Sequence, residues 1–199
     1  LQFRDWLVAR GLTGSSITRN FSYLKAVINF ALSEYALDVR NPFIGVYHDR
    51  SAGVLVRKPI PIDDIRNIQL ECRAIDDDMR WLIALISDTG MRLAEVAGLL
   101  KQDFIGLDTD IPHVCIIKHP WRNLKTASSE RKIPLVGEAL WAARRIIEAD
   151  TASNFAFPRY NRGSATAANS ASAALNKWLK QYVPVGCTMH SFRHSMRDR

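Results

Sequence analysis

Four side chains in the second half of the sequence are of the types that hold a phosphate and move its protons. Arg92 follows Thr89-Gly90, and main-chain N–H groups at a glycine turn that starts a helix favour an anion. His190 and Arg193 are three residues apart, so a helix would place an imidazole beside a permanent guanidinium, a pair suited to an oxyanion. Lys125, in a polar basic stretch, could contact a phosphate or give up a proton. Each alone is also a common surface residue, but their order and spacing favour one phosphate-binding site.

Two neighbours bear on this interpretation. Glu95 lies three residues after Arg92, close enough on a helix to orient a cationic group. His194 lies four residues after His190, a spacing that also occurs in metal sites, but the Arg-rich stretch that follows resembles no zinc motif. We therefore expect no metal and treat Glu95 as a residue that holds the site in place.

The charge of the chain is unevenly distributed. The 199 residues carry a formal charge of +7, with +4 in residues 1–58, −6 in residues 59–110 and +9 in residues 111–199. Two basic regions around an acidic one indicate positive surfaces that could meet a polyanion. Charge alone leaves open both nucleic-acid binding and an ordinary solvated basic surface.

The three cysteines, Cys72, Cys115 and Cys187, form no C-x-x-C pair, which argues against a disulfide framework and a structural zinc site. No run approaches the roughly 18 apolar residues of a membrane span, and the first residues do not resemble a signal peptide. These features predict a cytoplasmic protein that does not contact a membrane. Both ends fall inside helical patterns, so we expect the chain to be part of a longer protein.

The hydrophobic pattern predicts two domains. Apolar residues recur every three or four positions from Ile17 to Tyr35, indicating a long helix, capped by Ser15 or Ser16, that stops before Asn41-Pro42. Residues 44–60 have no sustained period and form the best linker candidate. We therefore predict a helical domain with its linker over residues 1–57 and a second domain over residues 58–199.

The second domain is predicted to be mixed. Residues 113–118 and 131–136 have the pattern of strands and are joined by the basic stretch around Lys125, as in a β-hairpin. Pro134 suits an edge strand. Helices are predicted near residues 63, 79–87, 92–100, 138–149, 167–182 and 190–199. The fold class is thus mostly α with a small antiparallel β-hairpin or sheet (α+β).

Three stretches together resemble one family. TGMRLAEV (89–96) looks like a first arginine box, KTASSERKIPL (125–135) like a hairpin lysine with the strand that follows it, and HSFRH (190–194) like a second arginine box. The sequence resembles the tyrosine recombinases, the phage integrase group of site-specific recombinases. Residues 18–46 are similar to the end of that family's helical core-binding domain, so the resemblance covers nearly the whole chain.

The resemblance implies a role for each site residue. Arg92 and Arg193 would clamp the non-bridging oxygens of the scissile phosphate, and Lys125 would protonate the leaving 5′ oxygen. His190 would help proton transfer or bind the phosphate, with Glu95 behind them. Cleavage and rejoining would proceed through a 3′-phosphotyrosyl link, with no metal, ATP or other cofactor.

The resemblance also implies double-stranded DNA as partner, gripped by two domains that close around the duplex. Tetramers of recombinase protomers on paired sites are expected for the full-length protein, and a monomer for this chain alone. The candidate DNA contacts are the basic residues of the front helix, the linker, the hairpin and the segment before the Ala-rich helix: Arg19, Lys25, Arg57, Lys58, Lys118, Arg122, Arg131, Lys132, Arg159 and Arg162.

One departure from the family pattern concerns the nucleophile. The family's third box and its tyrosine follow the second arginine box, whereas all five tyrosines of this chain precede His190. The chain as given is therefore predicted not to form the covalent intermediate. A non-catalytic DNA-binding protein on the same scaffold and a type IB topoisomerase-like enzyme remain alternatives.

Overall fold

The computed structural model describes residues 2–54, 58–124, 129–149, 151–162 and 165–198. Arg57 and Lys125 lie outside these ranges. The chain divides into two compact units, residues 1–56 and 57–199. The elements are α1 (Gln2–Ala9), α2 (Gly14–Glu34), α3 (Ile62–Ile75), α4 (Asp78–Thr89), α5 (Leu93–Ala97), β1 (Phe104–Ile105), β2 (His113–Ile116), β3 (Arg131–Pro134), α6 (Gly137–Glu148), α7 (Ala168–Leu179) and α8 (Ser191–Asp198), with 3-10 turns at Lys101–Asp103 and Pro158–Tyr160.

The first unit is a helix pair with a small core. Leu7 of α1 packs with Ile17 and Phe21 of α2, as the apolar period predicts. The N-cap of α2 is Thr13, whose hydroxyl accepts from the Ser16 N–H, so the helix begins earlier than the predicted Ser15 or Ser16 cap. The helix ends at Glu34, before the predicted limit at Asn41-Pro42.

The second unit is built around α4. Residues 82–87 of this helix are all buried, and α4 packs against α3, α6 and α8. A helix that is buried on most sides needs an apolar surface all round, which explains the continuous run from Leu82 to Ile86. This arrangement brings the C-terminal end of α4, which leads into Arg92, against the last helix.

The sheet has three antiparallel strands in the order β1-β2-β3. Ile116 faces Arg131 and Cys115 faces Lys132 across β2 and β3. Pro134 ends the edge strand β3, where its missing N–H removes no ladder bond. β1 was not predicted, because two residues are too few to show a strand period. The fold class, mostly helical with a small antiparallel sheet, is confirmed.

Within the ranges that the structure describes, none of the helices combines the length and the apolar character that crossing a bilayer requires.

Candidate functional site

The last helix closes onto the turn that precedes Arg92. Gly90 ends α4 in the left-handed region, with φ of 60°, and its N–H donates to the Ile86 carbonyl. A Cβ at Gly90 would lie 3.1 Å from the Met196 Cβ of α8. The backbone conformation and the close approach of α8 both favour glycine here. The turn therefore allows α8 to lie directly against it.

Arg193 makes the contact that joins the two boxes. Its Nη1 donates to the Gly90 carbonyl at 2.8 Å, although the two residues are 103 positions apart in the chain. The Arg193 guanidinium is thereby bound to Gly90, which lies two positions before Arg92 in the chain. Phe192, on the other side of α8, is fully buried, so the helix is fixed by its apolar face while Arg193 remains partly exposed.

A cleft of about 360 Å³ opens at this junction. His190 lies exposed on its wall, and the ring of His194 stands edge-on to the His190 ring at 5.2 Å between centroids. Two histidines and the arginines of α8 make the cleft suited to an anion. The lining residues are Thr89, Gly90, His190, Arg193, His194, Met196 and Arg197.

Arg92 is held by Glu95. It precedes α5, and its N–H donates to Glu95 Oε2 at 3.0 Å while its Nη1 donates to Oε1 at 2.8 Å. The side chain of Arg92 keeps 35% of its surface exposed, against 6% for Glu95. A buried carboxylate thus orients a guanidinium on a side chain that stays partly exposed.

Glu95 also binds Arg131 of β3, whose Nη2 donates to Oε2 at 2.8 Å. Burial alone raises the pKa of Glu95, but the hydrogen bonds from Arg131 and Arg92 outweigh it, so the pKa lies below its ordinary value. The carboxylate is therefore ionised at neutral pH, as its position between two arginines requires.

Arg122 is predicted from the sequence to contact DNA, but the structure places it in the interior of the second unit. Only 3% of it is exposed, and its guanidinium donates to the carbonyls of Glu95 and Ile117 at 2.8 and 2.7 Å. Its Nη2 also lies 3.8 Å from an Asp103 oxygen. A buried guanidinium bound to main-chain oxygens holds α5 through the Glu95 carbonyl and leaves almost no surface for a direct contact with a polyanion.

The other candidate contacts are distributed over both units. Arg159 is exposed but paired with Asp78 at 2.9 Å, and Lys25 is partly buried. Alternation along β3 turns Lys132 outward and Arg131 inward, which separates two neighbours that the sequence treats alike. Exposed residues in the predicted set are Arg19, Lys58, Lys118, Lys132, Arg159 and Arg162; Arg57 and Lys125 lie outside the described residues.

Sequence reasoning missed two features of the site. Met196 and Arg197 line the cleft, although only their position on the His190 helix could have indicated it. The partnership of Arg131 with Glu95 was also missed. Its signal was present in the two-residue period of β3, which places Arg131 and the half-buried Ile133 on one face.

The model of the phage integrase family matches residues 61–198, so the chain belongs to that family, as the resemblance predicted. No curated protein matches the sequence. Several solved structures are similar in fold, and three of them are described next.

The Tn1549 transposon integrase in complex with circular intermediate DNA has 21% identity and a TM-score of 0.69, over 98% of this chain and 69% of that one. The lambda integrase bound to DNA has 13% identity and a TM-score of 0.66, over 97% and 67%. The XerA recombinase has 14% identity and a TM-score of 0.51, over 98% and 64%. At these identities the likeness concerns the fold.

Proposed function

We propose that the chain is the DNA-holding and phosphate-binding part of a site-specific recombinase that cleaves and rejoins double-stranded DNA through a 3′-phosphotyrosyl intermediate. The observation that carries this proposal is the hydrogen bond from Arg193 to Gly90, which brings the second arginine box onto the turn of the first. The Tn1549 and lambda integrases of similar fold were both solved with DNA, which supports the same partner here.

In the proposed site, Arg92 and Arg193 bind the non-bridging oxygens of the scissile phosphate. Their guanidinium groups supply permanent positive charge where negative charge grows in the transition state. His190, exposed on the cleft wall, handles a proton or binds the phosphate, and Lys125 acts as general acid. Glu95 keeps Arg92 in position. This scheme uses no metal or other cofactor.

We propose the first unit as part of a helical core-binding domain and the second as the catalytic domain, both contacting the duplex. The lambda integrase was also solved as a dimer on a core site, which supports association of protomers on DNA for the longer protein. Tetramers on paired sites are the proposed working state, and this chain alone is proposed to be a monomer.

The DNA grip can be tested by measuring duplex affinity against salt by fluorescence anisotropy. Because exposed Lys and Arg would displace counterions from phosphates, log K should fall steeply with log salt, by about 0.9 per phosphate neutralised. R92Q/R193Q should weaken binding more than R66Q/R144Q, which removes the same charge from two arginines outside the proposed phosphate site, each paired with an aspartate. A nearly flat salt dependence would contradict the proposal.

The covalent step needs a separate test. All tyrosines of the chain precede His190, so we propose that these 199 residues bind DNA without forming a phosphotyrosyl link. Incubation with nicked duplexes and denaturing electrophoresis should show no protein–DNA adduct. A covalent adduct through any tyrosine of the chain would refute this part of the proposal.

A further inference from the structure

Arg131 donates hydrogen bonds to two groups, the Glu95 carboxylate and the Ser129 carbonyl. Its Nη2 lies 2.8 Å from Glu95 Oε2 and its Nη1 3.4 Å from Oε1, so the planar fork faces the carboxylate with both ends. The same Nη1 donates to the Ser129 carbonyl at 2.7 Å. Arg131 begins β3, and Ser129, buried in the structure, lies four residues after Lys125 along the chain. One guanidinium therefore connects the end of the lysine-bearing segment with Glu95.

The two oxygens of Glu95 are shared evenly. Oε1 accepts from the Nη1 groups of Arg92 and Arg131, and Oε2 accepts from the Arg92 N–H and from Arg131 Nη2. The carboxylate cannot rotate without lengthening bonds to both arginines. The orientation of Arg92 thus depends on a carboxylate whose own orientation depends on Arg131.

The arginines around Glu95 all favour the ionised form of its carboxylate. Arg92 comes from the turn before α5, Arg131 comes from β3, and Arg122 donates to the main-chain carbonyl of Glu95 at 2.8 Å. Without Arg131, the buried carboxylate would keep its desolvation cost and lose the single hydrogen bond that most lowers its pKa. It would then be protonated more readily and would hold Arg92 less firmly.

We propose that Arg131 is a positioning residue for the phosphate clamp: through Glu95 it fixes the Arg92 guanidinium and couples it to the end of the segment that carries Lys125. This replaces the direct DNA contact that the sequence predicts for Arg131. The inference rests on the proposed function in that Arg92 binds the scissile phosphate. The coupling itself is a property of the free protein.

The test compares two variants that each remove one positive charge from neighbouring positions of the same strand. R131Q removes the Glu95 partner, whereas K132Q alters an exposed lysine on the other face of β3. NMR of the free chain would follow the carboxyl carbon of Glu95 against pH and the Nε–Hε signal of Arg92, which R92K identifies by its loss. These spectroscopic signals report on the site and not on overall stability.

In R131Q the Glu95 titration should move to higher pH and the Arg92 Nε–Hε group should become more mobile, while K132Q should match the wild type. R131K keeps the charge without the fork, and should leave Glu95 ionised but Arg92 loosened. Equal behaviour of R131Q and K132Q would overturn the proposal. Should R131Q fail to fold, an Arg92 signal in R131K identical to the wild type would overturn it.

Salt-dependent DNA binding of the same proteins separates this inference from the proposed function. If the chain does not bind DNA, the DNA-binding titrations show no salt dependence for any variant. The NMR signals of Glu95 and Arg92 still report the coupling. If the coupling is absent, R131Q and K132Q weaken DNA binding alike, as two surface cations would, and the NMR signals stay unchanged.

Discussion

Replacement of Glu95 by glutamine isolates the charge of the carboxylate that holds the clamp. Glutamine has nearly the same shape, but its amide group turns one acceptor into a donor that faces a guanidinium. Glu95 is buried, with 4% of its surface exposed, and accepts bonds of 2.8 Å from Arg92 and Arg131 and of 3.0 Å from the Arg92 N–H. E95Q therefore leaves two arginines without a counter-charge.

The loss of stability expected for E95Q follows from the burial of each partner. Loss of one partner of a fully buried pair costs about 3–5 kcal/mol. The two arginines here keep 35% and 30% of their side chains exposed, so water replaces part of the lost interaction. We expect E95Q to lower the free energy of unfolding by about 2–3 kcal/mol at pH 7.

The loss should depend on pH. The folded pKa of Glu95 lies below its ordinary 4.5, so its carboxylate stabilises the fold above that value, and the stabilisation disappears as pH falls through the folded pKa. Urea unfolding at a series of pH values should give a constant gap between wild type and E95Q from about pH 8 to 5.5, and a narrowing gap below about pH 4.5.

The matched control is E130Q. Glu130 lies one residue before β3, is exposed, and accepts only the Lys118 N–H, at 3.2 Å, among the bonds described for it. Its replacement should change stability by less than about 0.5 kcal/mol. The reasoning would be refuted by an E95Q loss as small as that of E130Q, or by a gap that stays unchanged down to pH 3.

Three further changes test the assignments. R122M should destabilise the chain by about 3 kcal/mol or more because the buried Glu95 carbonyl loses its donor, whereas K118A should leave stability unchanged and lower the salt slope of DNA binding by about 1; a lower slope with intact stability in R122M would contradict this. F192A should cost about 3–5 kcal/mol in urea unfolding through the cavity under α8, and a loss below about 1 kcal/mol would contradict that packing. Burial raises the pKa of Cys72 to about 12, so iodoacetamide at pH 8 should modify the partly exposed Cys115 first, and equal labelling in mass spectra would exclude the burial.

Much of the fold could be predicted because its signals are local. The three- and four-residue period of α2, the continuous apolar run of α4 and the β-like residues of β2 are each visible within a short window. The predicted first and last residues of the elements were less accurate. α5 was predicted to reach Leu100, but it ends at Ala97, where the chain turns at Gly98 and Leu100 pairs with Phe155 in an isolated bridge. That pairing depends on a residue more than fifty positions away, which no local pattern contains.

By itself, the sequence determined the chemistry available to this protein: two arginine boxes, a lysine between two strands, a histidine beside the second arginine and a basic surface. These follow from residue type and spacing, and they were enough to identify the family. Only the tertiary structure decided which arginines do what. Arg193 meets the Gly90 carbonyl, Arg131 turns inward to Glu95, and Arg122 is buried beneath α5. A guanidinium is equally suited to a phosphate, a carboxylate or a carbonyl, so its role depends on which acceptor the folded chain brings to it.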